Sequence, residues 1–218
     1  DATKPRGRDA RDTHDDRVLA QGEITGLTDH WKGFALDLTA TGTDPRAELH
    51  LTISGRGTLW LDMICVAPVK TWKNHGLRPD LCEMLVGLKP AFLRFPGGCW
   101  VEGDDMAHMY HWKETIGEFW HRKPLWNLWR YWATHGVGYH EYLQMCEDLG
   151  AEPLFVINCG MSHHEVIPMD QMGQWVQDAL DAIEYANGPV DSVWGGLRAR
   201  NGHPAPFNMK YIEIGNEN

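Results

Sequence analysis

From Lys70 onward the chain alternates strand-like and helix-like segments, a rhythm that restricts it to an α/β fold with parallel strands. Pro79 stands at a helix start, Leu81, Leu85 and Leu88 line one face, and Pro90 stops the helix. The run Ala91 to Phe95 reads as the next strand. After a long tryptophan-rich connection, Cys99 to His135, the residues Tyr139, Tyr142, Leu143, Cys146 and Leu149 recur at helical spacing, and Gly150 closes that helix. Pro153 to Ile157 is a short buried strand. Met172, Trp175, Val176, Ala179, Leu180 and Ile183 mark a long amphipathic helix, expected to face the sheet and to end at Asn187-Gly188-Pro189. Lys210 to Ile214 makes a third strand.

Right-handed crossovers between parallel strands bring all their carboxyl ends to one side. Arg94, Asn158 and the pair Asn216-Glu217 then share a face, the one that carries the active site in a (β/α)₈ barrel. Three strands cannot close a barrel of eight, so the reading expects residues 73–218 to be the N-terminal half of one, with the rest beyond Asn218. Upstream, residues 1–20 read as loop or disorder. Residues 21–72 carry short β-rich runs, 34–38, 48–53 and 58–66, between Gly, Asp and Pro turns, and are expected to be the C-terminal part of a β-sandwich resembling a carbohydrate-binding module. Its earlier strands would precede Asp1, because only about four of the seven or so that a sandwich needs are visible.

Composition narrows the function mainly by exclusion. A formal net charge of −10 gives no counterion release at phosphate backbones or anionic lipid surfaces, so neither nucleic acid nor a membrane is expected as partner. No apolar run approaches the length of a membrane span, and the charged opening segment is not a signal peptide; localisation is not readable from this end. Five cysteines without a CxxC pair indicate neither a disulfide framework nor a structural zinc site. Eleven tryptophans against six phenylalanines supply flat faces suited to sugar rings as well as to core packing.

Polar and acidic residues at adjacent strand ends, with no nucleotide fingerprint, suit hydrolysis of a neutral polar substrate such as a glycan. Glycosidic cleavage needs two carboxyl groups flanking the bond, one of which protonates the leaving oxygen. Glu217 is the candidate acid, and Asn216 beside it both donates and accepts, as holding a sugar hydroxyl requires.

Four segments, LRFPGGCWVEG (93–103), GYHEYLQMCEDLGAEPLFVINCG (138–160), ALDAIEYANG (179–188) and YIEIGNEN (211–218), resemble glycoside hydrolase family 51, whose α-L-arabinofuranosidases are retaining enzymes on a (β/α)₈ barrel. The resemblance implies that Glu217 is the acid/base, that Asn216 binds the substrate 2-hydroxyl, and that the nucleophile lies beyond this chain, which alone would then be inactive. Arg94 matches the arginine of the family's RFPGG motif, beside the catalytic carboxylates. Cys99 stands where other members carry a sugar-binding asparagine, and Trp112 matches an aromatic near the sugar pocket. The substrate implied is a terminal α-L-arabinofuranosyl group on arabinoxylan, arabinan or an oligosaccharide, with no cofactor; homo-oligomerisation of the full-length protein is left open. An endo-β-1,4-glucanase of the same family and a non-catalytic carbohydrate-binding protein are the alternatives.

His163-His164-Glu165 reads as loop polarity, because neighbouring histidines in an extended loop point apart and the sequence places no third ligand beside them. No metal is expected. Trp120, Trp126, Trp129 and Trp132 read as packing of the long connection, and Cys99 and Cys159 as core or pocket thiols.

Overall fold

A computed structural model describes residues 17–217, so the loop expected over residues 1–20 falls almost wholly outside the described part. The chain divides into two compact units, the first ending at Asp62 and the second beginning at Met63.

Among its described residues the first unit contains neither helix nor strand. The strands expected at 34–38, 48–53 and 58–66 are not formed. Alternation is present, yet Phe34, Leu36, Leu38, Leu51, Ile53 and Trp60 are all exposed, so no apolar face is buried. A strand is held by its ladder and its covered face, and with neither the β-rich composition alone does not make one. What ties the segment is local: Thr41 N–H donates to the Leu19 carbonyl, and Asp44 Oδ1 accepts from Arg46 N–H.

The second unit is built on the expected alternation. Helix α1 (Pro79–Leu88) has Pro at its first position and ends in a left-handed Lys89. Strand β1 (Phe92–Phe95) follows, then a short helix α2 (Gly98–Glu102) and three 3₁₀ turns at Met106–His108, Trp112–Thr115 and Phe119–His121. A hairpin of β2 (Leu125–Trp126) and β3 (Trp132–Ala133) leads to α3 (Tyr139–Leu149) and β4 (Glu152–Ile157). A fourth 3₁₀ turn, Met169–Gln171, precedes α4 (Gly173–Asn187), α5 (Val193–Arg200) and β5 (Tyr211–Ile214).

Strands β1, β4 and β5 pair in parallel in that spatial order, with Arg94 opposite Leu154 and Leu154 opposite Tyr211. Because side chains alternate, Leu93, Phe95, Phe155, Ile157 and Ile212 point to one face, and it is this face that joins the aromatic core under α3 and α4. Phe95 stacks on Tyr142 with centroids 4.9 Å apart, and Phe155 lies 4.2 Å from Tyr139. Hydroxyl groups in this core are satisfied: Tyr142 donates to the Leu93 carbonyl and Tyr139 to that of Ala182. Rings of this size bury some 150–250 Å² each, worth roughly 4–6 kcal/mol apiece in transfer free energy, so the aromatic cluster is the main source of cohesion. The opposite face carries Arg94, Leu154, Val156, Tyr211 and Glu213.

Two helix faces differ from expectation. In α4, Val176, Leu180 and Ile183 are exposed, and the buried line is Asp181, Ala182, Tyr185 and Ala186. The apolar stripe is rotated by about one residue, some 100°, because small Ala182 and Ala186 admit close packing and Tyr185 is anchored by His140 and Asn201. In α1 the buried residue is Cys82, while Leu81 and Leu88 are exposed. Helix α5 was not foreseen: two glycines interrupt its pattern, yet Ser192 caps it and Arg198 is fully buried, donating to the carbonyls of Tyr185, His203 and Pro204.

Candidate active site at the carboxyl ends of the parallel strands

Arg94 leaves β1 on the face away from the helices. Its fork closes on Glu213 of β5, with Nε 2.7 Å from Oε2 and Nη2 2.5 Å from Oε1, and Nη2 also donates to Asn216 Oδ1 at 2.9 Å. The hydrogen bond from Arg94 holds the Glu213 carboxyl below its ordinary value of 4.5. In turn Glu213 raises the guanidinium, chiefly through that bond, and the charge of Glu217 adds to the effect. Planar bidentate pairing of this kind fixes direction as well as charge. Gly97 makes room for it: at φ 62°, a Cβ there would lie 2.6 Å from Arg94 Nη1.

Beyond β5, Gly215 turns at φ 75° while its N–H donates to the Ile157 carbonyl at 2.8 Å, and Glu217 follows in the left-handed region at φ 53°. For a residue with a side chain that conformation costs about 1 kcal/mol, a strain met more often at functional positions than elsewhere. Asn216 is buried and Glu217 exposed. The Asn216 amide nitrogen lies 3.5 Å from Glu102 Oε2 at the end of α2, and the same oxygen lies 3.1 Å from His163 Nε2. A connected row results: Glu213, Arg94, Asn216, Glu102, His163.

Of the residues singled out from sequence, Arg94, Asn216 and Glu217 are gathered at the strand ends, and Cys99 lies one helical turn before Glu102. Trp112 is placed elsewhere. It is only 2% exposed, its ring meets Tyr139, Tyr185 and Trp194, and its indole N–H donates to the Asp178 carbonyl. The ring is packed into the aromatic core and at the same time borders a cavity of about 390 Å³. Asn158 organises its own loop: the amide donates to Val101 and Met161 carbonyls and Oδ1 accepts from Gly160 N–H.

The histidine loop is laced to the segment after α2. His164 pairs with Asp104 at 3.2 Å, Glu165 accepts from Met106 N–H, and His163 N–H donates to the Gly103 carbonyl. The tryptophans of the long connection are less buried than packing alone would give: Trp120, Trp126, Trp129 and Trp132 are all exposed. Trp129 and Trp132, with Trp100 and Tyr131, wall a cavity of about 470 Å³ beside Phe95 and Pro96.

Glu213 and Glu102 were not picked out from sequence. A signal existed for Glu213, since an acid in the middle of the strand Tyr-Ile-Glu-Ile falls by period two on the face opposite Ile212 and Ile214, the face of Arg94. None existed for Glu102, whose partners come from β4 and β5 loops far along the chain.

A sequence profile described as the alpha-L-arabinofuranosidase 1 domain matches residues 84–218. The chain is 44% identical to alpha-L-arabinofuranosidase 2 of Arabidopsis thaliana over 205 residues, which is 92% of this chain and 30% of that protein. It is 37% identical to an extracellular exo-alpha-L-arabinofuranosidase of Streptomyces chartreusis, covering 92% of this chain and 26% of the relative. It thus spans about a quarter to a third of the length of these proteins. Among solved structures, the arabinose-bound MgGH51 α-L-arabinofuranosidase superposes on 67% of this chain and 24% of its own, with a TM-score of 0.65 and 39% identity. The arabinose complex of the Thermotoga maritima α-L-arabinofuranosidase does so with a TM-score of 0.54 and 33% identity, over 66% of this chain and 26% of its own.

Proposed function

Since the chain belongs to the α-L-arabinofuranosidases of glycoside hydrolase family 51, we propose that it carries the acid/base half of a retaining glycosidase that releases terminal α-L-arabinofuranosyl groups from plant polysaccharides or oligosaccharides. The observation that carries this reading is Arg94 tethering Asn216 directly beside Glu217 at the carboxyl ends of parallel strands.

In this mechanism protonated Glu217 donates to the leaving glycosidic oxygen while a second carboxylate, outside this chain and roughly 5–5.5 Å away, attacks the anomeric carbon. Glu217 then takes a proton from the water that hydrolyses the glycosyl-enzyme. Arg94 on Oδ1 and Glu102 near the amide nitrogen fix how the Asn216 amide is turned toward the substrate 2-hydroxyl. Arg94 fixes that orientation and lends positive charge to the carboxylates; Cys99 forms part of the wall. Trp112 acts through the core rather than by touching sugar. The parallel sheet is read as part of a (β/α)₈ barrel over residues 73–218. In support, Phe92, Tyr211 and Ile214 are exposed on its outer strands, where further strands would cover them. Residues 21–72 are read as part of a carbohydrate-binding-like module, a proposal resting on sequence alone.

The test is hydrolysis of p-nitrophenyl α-L-arabinofuranoside, with a cellulosic substrate in parallel, by the full-length protein and its Glu217→Ala variant. Cleavage of the arabinoside that falls by about 10² or more in the variant supports the reading. Cleavage of the glucan alone would replace the substrate, and undiminished activity in the variant would remove Glu217 from its role.

A further inference from the structure

We propose that Cys99, Glu102 and His163 form a binding site for a single zinc ion, adjoining Asn216. One ligand atom from each, thiol sulfur, carboxylate oxygen and imidazole nitrogen, lies within 4.8 Å of the other two. Two come from one face of α2, Cys99 and Glu102 being three residues apart, and the third from the loop after β4. Sequence placed no third ligand beside the histidines because the other two lie about sixty residues earlier; only the fold brings them together.

The donor set selects the metal. Sulfur, nitrogen and one carboxylate oxygen suit zinc, whereas calcium and magnesium require oxygen ligands throughout. Zinc bound at about 2.0–2.3 Å in tetrahedral geometry sets its ligands roughly 3.3–3.8 Å apart, so the triad must close by about 1 Å. His163 and Glu102 are already 3.1 Å apart, which leaves the closure to Cys99 and to the partly exposed imidazole. The loop is held for this, His163 by its N–H on Gly103 and Glu165 by Met106. Binding deprotonates the thiol, Cys–SH plus Zn²⁺ giving the zinc thiolate and one released proton, and the thiolate and carboxylate together neutralise the ion. Three protein ligands leave a fourth position open, as at zinc sites that exchange water or small ligands.

This inference does not depend on the hydrolase reading, and its test reads metal binding alone. The full-length protein is titrated with Co²⁺, following the thiolate-to-metal charge-transfer absorption, and with Zn²⁺ against a chromophoric chelator. One equivalent per chain is expected, with the charge-transfer band lost in Cys99→Ser and affinity for Zn²⁺ reduced roughly 100-fold or more there and in His163→Ala, since losing a ligand exceeds the 10–100-fold typical of outer-shell changes. His164→Ala and Cys65→Ser, on exposed residues outside the triad, should bind as the parent does. His163 is an exposed loop residue, so its variant tests the site even if Cys99→Ser folds poorly. Zinc affinity unchanged in both Cys99→Ser and His163→Ala, or a thiolate band that persists without Cys99, would overturn the proposal.

Discussion

Replacing Arg94 by lysine keeps the charge and removes the fork, and the cost can be worked from three bonds. Nε and Nη2 serve the two Glu213 oxygens, and Nη2 also serves Asn216. Hydrogen bonds to charged groups contribute about 1.5–3 kcal/mol when well buried. Here the two side chains keep 35% and 30% of their surface in contact with solvent, so screening cuts each contribution to about half. A lysine recovers one of the three, leaving a loss of about 1.5–3 kcal/mol, or roughly 3–12 °C in Tm for a chain of this size. Glu213 titrates below 4.5 in the folded chain because Arg94 holds its charged form. Its contribution is therefore complete above about pH 4.5 and disappears as pH falls through the lower folded value. Thermal unfolding of both proteins between pH 7 and pH 3 should show the gap at neutral pH and its narrowing in acid. A gap absent at pH 7, or one that persists undiminished at pH 3, would refute this account of the pair. In the full-length protein the same change should lower kcat/KM for the arabinoside by about tenfold or more, because Asn216 loses the anchor that orients its amide.

Gly97→Ala should mimic Arg94→Lys, since its methyl occupies the guanidinium's place and adds about 1 kcal/mol of backbone strain; the double variant should lose less than the sum of the two, read by the same melts. Burial keeps His135 and His140 neutral, pushing both down to about 4. Unfolded, these rings take up protons below about pH 6.5, so stability to urea should fall from there to pH 4 by up to about 1.4 kcal/mol per unit for each ring, and His140→Phe should remove one ring's share of the slope. An unchanged slope in His140→Phe would mean that the ring is already charged in the native state. Trp112→Phe removes the hydrogen bond to Asp178 and part of the core, costing about 1–2 kcal/mol in denaturation, with KM for the arabinoside in the full-length protein unchanged; a raised KM would return Trp112 to the sugar.

Local signals sufficed for the frame. Pro79, Gly150 and Asn187-Gly188-Pro189 bound helices α1, α3 and α4 as punctuation predicts, because caps and breakers act through neighbouring backbone. Failures came wherever the deciding partner is distant. In α4, which apolar line turns inward depends on Tyr185 reaching His140 and Asn201, and composition of the helix does not contain that information. The expected strands upstream of Asp62 have the right alternation and no covered face. Trp112, expected near the sugar pocket, packs among core rings while bordering a cavity, a setting that the residue type alone does not reveal.

At the site the same division has a chemical consequence. Glu217 and Asn216 are adjacent in sequence and were legible as a pair, but adjacency fixes neither the direction of the amide nor the charge around it. Both are set by Arg94, 122 residues away, whose second partner Glu213 was not singled out. An isolated arginine near Glu217 would be free to swing onto that carboxylate and hold it ionised. Glu213 prevents this by engaging Nε and Nη2 of the fork, and Nη2, held in place by that bond, also reaches Asn216. Glu213→Gln should therefore do more harm than loss of an ion pair suggests. With the bidentate partner neutral, Arg94 is released toward Glu217, and the acidic limb of the full-length enzyme's pH–rate profile should keep its place while the basic limb moves down, as an acid that ionises too readily requires. A profile that drops uniformly at every pH would show instead that Glu213 only braces the strands.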